Sequence, residues 1–110
     1  MKLLIVTSLK EYQKAVAAIF EKAHISVFSV GNIIGHKDGD KVNLLDNWFA
    51  SGDDQFDSIL LFSFTEETKA VAALELIKKY NENAVSDFPI RAFILPVEQS
   101  NYQDLAQTAN

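Results

Sequence analysis

Cysteine is absent from this sequence, which excludes a disulfide framework, a thiolate metal site and a cysteine nucleophile together. Long apolar runs are absent too. The N-terminal run Leu3-Leu4-Ile5-Val6 turns polar at Thr7 and Ser8. That is far short of the roughly 20 apolar residues of a membrane span, and too short for the core of a signal peptide. The expected location is therefore the cytoplasm. Basic residues are few, 10 against 15 acidic ones, for a net charge of −5. Arg91 is the only arginine, and Lys78-Lys79 is the only adjacent basic pair. That pair falls at a predicted helix C-terminus, where a cation offsets the helix dipole. With no basic face to neutralise phosphates, nucleic acid is excluded as the main partner.

What is present suffices for one folded domain over residues 1–110. Hydrophobic residues make up 48% and aromatics 11% of the 110 residues, enough to build a single core and to argue against global disorder. Residues 3–6 read as a strand with no polar side. Ser8-Leu9-Lys10-Glu11 then has the form of a capping box. It precedes Tyr12, Ala15, Val16, Ile19, Phe20 and Ala23, the spacing of an amphipathic helix. Residues 25–30 read as a second strand, with Gly31-Asn32 as a bend or bulge at its exit. Residues 56–64 read as a third strand. Thr65 is placed to cap a second helix, with Glu66 and Glu67 in its first turn. Ala70, Ala73, Leu74, Ile77 and Tyr80 form that helix's buried stripe, and its end is expected near Asn81. Pro89 and Pro96, the only prolines, bracket a fourth strand over 90–95. Residues 99–110 are a polar tail.

The order β-α-β-loop-β-α-β, with right-handed crossovers, predicts an α+β fold: a ferredoxin-like, four-stranded antiparallel sheet with two helices on one face. The strands are apolar on both faces. Leu3 and Ile5 alternate with Leu4 and Val6, and Ile59 and Leu61 with Leu60, Phe62 and Phe64. Ala92 and Ile94 alternate with Phe93 and Leu95 in the same way. Helices cover one face only, so the other is expected to be covered by self-association.

The segment 33–55 is a polar connection punctuated by Gly35, Gly39 and Gly52, and it holds the only tryptophan, Trp48. Connections beyond roughly 12–15 residues are uncommon in compact domains, and most are functional or disordered. At its base, Gly31 and Gly35 let backbone approach a ligand, while Asn32 and His36 supply hydrogen-bonding groups. Alternatively, the glycines only shape a strand exit. Leu44, Leu45, Trp48 and Phe49 form an apolar knot that suits a partner anchor or, equally, a pin holding the loop to its own subunit. His36, Asp38, Asp40, Asp53 and Asp54 match no metal motif and read as solvated turns. His24 reads as a helix C-terminal cap. No nucleophile elbow, Walker loop or paired His/acid constellation is present, so no catalytic residue is assigned and the chain is not expected to be an enzyme.

Met1-Lys2-Leu3-Leu4 leading into a helix, a second strand ending Val30-Gly31 before a long loop, and the close Ile94-Leu95-Pro96-Val97-Glu98 resemble the PII signal-transduction superfamily. The resemblance spans about residues 1–98. It implies a homotrimer of ferredoxin-like subunits packed through their sheets, and a mobile T-loop over 33–55. That loop would dock onto a protein partner, such as a membrane transporter, through Leu45, Trp48 and Phe49. It also implies a small-molecule effector, an adenine nucleotide in many members, held in inter-subunit clefts. Gly31, Asn32, Gly35, His36 and Arg91 would be its ligand contacts. The connection 81–88 lacks the glycine-rich run of nucleotide-binding members, and the tyrosine-bearing T-loop signature is absent. Two alternatives remain at this level: a divalent-metal-responsive accessory of the same fold using His36 and loop carboxylates, and a small dimeric ferredoxin-like enzyme using His24, His36 or Asp57.

Overall fold

The first apolar run grows into a strand twice its length because the chain finds partners on both sides. The computed structural model describes residues 1–36, 55–84 and 88–102. Its strands are β1 (Lys2–Leu9), β2 (Ser29–His36), β3 (Gln55–Thr65) and β4 (Arg91–Pro96). A 3-10 turn, Lys10–Tyr12, leads into α1 (Gln13–Lys22), and α2 is Glu67–Ala84. The sheet order is β2-β3-β1-β4, with every neighbouring pair antiparallel. This is the α+β, ferredoxin-like arrangement expected from the apolar periodicities, with both helices on one face.

The register sorts side chains between the two faces, because directly paired residues point the same way. Leu4 lies between Ser63 and Ile94, and Val6 between Leu61 and Ala92. These face the helices. α1 places Val16, Ile19 and Phe20 on them, and α2 places Ala70, Ala73 and Ile77, all buried. Burying a side chain the size of Leu or Phe contributes about 1.5–3 kcal/mol, so this layer carries the fold. The Phe20 ring meets Phe28 edge-on at a centroid distance of 4.9 Å. Tyr12 and Tyr80 meet edge-on at 6.3 Å and join the start of α1 to the later turns of α2.

Element ends differ from the sequence expectation wherever sheet pairing competes with a local signal. Ser8 is no helix cap. It is a buried β1 residue opposite Ile59, and its Oγ donates to the Leu9 carbonyl at 2.9 Å. Thr65 likewise closes β3 opposite Lys2, and the first α2 bond runs from the Ala70 N–H to the Glu66 carbonyl at 3.0 Å. α2 continues three residues beyond Asn81, to Ala84. β2 starts at Ser29, four residues later than expected, and runs straight through Gly31-Asn32 to His36 with no bulge. Its register against β3 is unbroken from Ser29–Phe62 to His36–Gln55. Ladder hydrogen bonds over eight consecutive pairs outweigh the weak turn preference of one Gly-Asn step.

Residues 25–28 instead belong to the helix terminus. His24 has φ 63°. Its N–H donates to the Glu21 carbonyl at 3.0 Å, while the Ile25 N–H reaches the Phe20 carbonyl at 2.8 Å. That pair of bonds is a Schellman cap, with Ile25 folded onto the core beside Phe20. The expected role of His24 as a helix cap is therefore met through its backbone. The buried Ser63 hydroxyl donates to the Val27 carbonyl at 2.7 Å and ties this turn to β3.

Candidate functional site

The residues assigned to ligand contact fall on the two free edges of the sheet. Gly31, Asn32, Gly35 and His36 all lie within β2, one edge strand, rather than in a loop. Arg91 is the first residue of β4, the other edge. Gly31 pairs with Leu60, Leu60 with Thr7, and Thr7 with Arg91. These four residues make one transverse row on the face away from the helices. Three strand spacings separate its ends, about 14 Å at ~4.8 Å per strand. One subunit therefore does not bring Gly31 and Arg91 to a single small ligand.

Gly31 has an exposed backbone outside the left-handed region, and a Cβ added there would meet nothing within 4 Å. Among the described residues, neither a turn nor packing explains its lack of a side chain, although glycine weakens a strand by about 0.5–1 kcal/mol relative to alanine. Asn32 points to the helix side of β2, opposite Ile59, and is exposed because the helices stop short of this edge. Val30 and Ile34, on the same side, are exposed as well. Leu45, Trp48 and Phe49, the expected partner anchors, lie outside the described residues, as do Asp38, Asp40, Asp53 and Asp54.

At the β4 edge, Arg91 is exposed beside a groove of about 380 Å³ that separates β4 from α2. Leu74, Ile77, Lys78 and Asn81 of α2 line one side of it, and β4 with the preceding Ile90 lines the other. Lys78 Nζ lies 3.3 Å from Glu75 Oε1, an exposed pair worth little to stability. Asn81 holds the backbone of Ile90 with both ends of its amide. Nδ2 donates to the Ile90 carbonyl at 2.8 Å, and Oδ1 accepts from the Ile90 N–H at 3.0 Å. No local sequence signal points to this clamp, since an asparagine near a helix end reads first as a terminator. Among the described residues there is no cluster of three or more His, Asp or Glu placed to hold a metal ion. No described helix is long and apolar enough to cross a membrane.

The face carrying the Gly31–Arg91 row also holds Ser29 and Ser58 and is otherwise mostly apolar. Leu3, Ile5, Leu60, Phe62, Phe64, Phe93 and Leu95 share it, with Phe62 and Phe64 meeting edge-on at 6.3 Å. Phe64, Phe93 and Leu95 are 57%, 37% and 40% exposed.

No protein-family model matches the sequence, and no curated protein matches it significantly. Solved structures do match. A putative PII-like signalling protein from Thermus thermophilus superposes with a TM-score of 0.52 at 14% identity, over 84% of this chain and 82% of that one. CPII, a nitrogen regulatory PII-like protein from Thiomonas intermedia, was solved bound to ADP, AMP and bicarbonate. It superposes with a TM-score of 0.57 at 10% identity, over 90% of this chain and 93% of its own. The topology, the placement of both helices and these superpositions converge: this chain has the fold of the PII-like signalling proteins.

Proposed function

We propose that this protein is a PII-like regulatory protein, a homotrimer that binds a small-molecule effector between subunits and controls a protein partner through the segment 33–55. The observation that carries the reading is the open sheet face, where Phe64, Phe93 and Leu95 remain exposed beside Leu3, Ile5 and Phe62. Contiguous apolar area of this kind marks an interaction surface, and a second and third copy of the same face would match it in apolar chemistry. The edge placement of the ligand candidates supports the same assembly. Gly31, Asn32, Gly35 and His36 from one copy would join Arg91 from another.

The solved structure of CPII with ADP and AMP makes adenine nucleotides the first effector class to test here. Arg91 would meet phosphate and Asn32 or His36 would add hydrogen bonds, while the backbone at Gly31 and Gly35 would allow close approach. Effector binding would then present or withdraw Leu45, Trp48 and Phe49 of the segment 33–55, which a partner such as a membrane transporter reads. Both structural neighbours are described as signalling or regulatory proteins, which favours this reading over catalysis.

The test is light-scattering mass followed by calorimetric titration with ATP, ADP, AMP and cyclic AMP, each with and without magnesium. A trimer that binds at least one of them with micromolar affinity is expected. A monomer at micromolar concentration would overturn the assembly, and absence of heat with all four would remove adenine nucleotides as the effector.

A further inference from the structure

The first rung of β4 is the pair Thr7–Arg91, and Ile90 precedes it with no strand partner among the described residues. Ile90 is nevertheless buried, at 2% exposure. Its N–H and carbonyl would be left without water or ladder if the Asn81 amide did not supply a donor and an acceptor at 2.8 and 3.0 Å. Asn81 thus imitates one residue of a missing neighbouring strand. It is built into α2, a helix of 18 residues anchored in the core by Ala70, Ala73 and Ile77, so the imitation is rigid.

We propose that Asn81 is the positioning residue for Arg91. It fixes the peptide immediately before Arg91, so that the only guanidinium of the chain leaves β4 at a set point on the open face of the sheet. Arg91 is held from both directions, by its rung with Thr7 and by the clamp on Ile90. Without the clamp, the rung with Thr7 becomes the frayed end of an edge strand. The arginine must then give up backbone freedom each time it meets an anion. The inference rests on the effector reading only in taking Arg91 as a ligand contact.

The experiment compares wild type, Asn81→Ala, Arg91→Ala and the double variant in the full-length protein. Urea melts establish that each is folded. Amide hydrogen exchange without ligand reads the clamp, and calorimetric titration with ADP reads its consequence. In Asn81→Ala the Ile90 amide should exchange at least about tenfold faster, and ADP affinity should fall about tenfold. The double variant should bind no more weakly than Arg91→Ala alone, because the clamp acts through the arginine. An unchanged Ile90 exchange rate, or affinity losses that multiply in the double variant, overturns the proposal.

If Asn81→Ala does not fold, Asn81→Asp is read instead through ADP affinity and the backbone order parameter of Arg91, because the Ile90 amide keeps its acceptor. That variant loses the donor to the Ile90 carbonyl, so both readings should fall, and their constancy would overturn the proposal. Should wild type bind no ADP, ADP is not its effector, and the backbone order parameter of Arg91 decides. A fall in Asn81→Ala sustains positioning, and an unchanged value ends it.

Discussion

The two faces of the sheet are made from the same kinds of residue and meet different fates. Toward the helices, Leu4, Val6, Ile59 and Leu61 are wholly buried, whereas Phe64 on the other face keeps more than half its surface exposed. Residue type does not separate the two sets; topology does. Two helices of 10 and 18 residues can roof one side of the sheet short of its β2 edge and no more. Apolar residues on the roofed side hold the subunit together, and those on the open side are available to hold subunits to one another.

Substitutions on the two faces should therefore fail in different ways. The largest effect belongs to the roofed side. Phe20→Ala removes a ring that is fully buried against Phe28 and should lower unfolding free energy by about 3–5 kcal/mol in urea melts. The open side behaves otherwise. Phe64→Glu should leave subunit stability within about 0.5 kcal/mol, since the site is exposed in the subunit. It should nevertheless reduce the light-scattering mass toward that of one chain. Unfolding together with dissociation would instead make the open face part of the subunit core. The smallest effect is at the helix cap, which neither face controls. His24 sits in the left-handed region, where glycine is unstrained, so His24→Gly should raise unfolding free energy by about 0.5–1 kcal/mol without changing the mass.

What the sequence made legible follows the same division. Periodicity marked Val16, Ile19, Phe20 and Ala23 along α1 and its cap and Ala70, Ala73 and Ile77 on α2, all buried, together with Tyr12, Ala15, Leu74 and Tyr80, which are half-buried. A repeated spacing averages over many residues and survives local exceptions. The two-faced strands were equally plain. Element ends were not, because Ser8 and Thr65 each carry a cap signal that a ladder partner overrides, Ile59 for one and Lys2 for the other. Gly31-Asn32 carries a bend signal that β3 irons flat. Such contests are decided by residues far away in the chain, which a local reading does not weigh. Asn81 was invisible for the same reason, as its partner Ile90 is defined only once β4 is in place. Of the candidate site, the structure places Gly31, Asn32, Gly35, His36 and Arg91 on two opposite edges, while Leu45, Trp48 and Phe49 fall outside the described residues.

Gly31 and Arg91 stand at opposite ends of one row across the sheet. In the proposed assembly, a ligand that touches both is a cross-link between two copies, and each molecule bound lends its binding free energy to the cohesion of the trimer. Dilution that loosens the trimer releases ligand, and ligand withdrawn loosens the trimer in turn. Protein concentration and effector concentration then act on a single equilibrium, so that abundance of the sensor becomes part of what it senses.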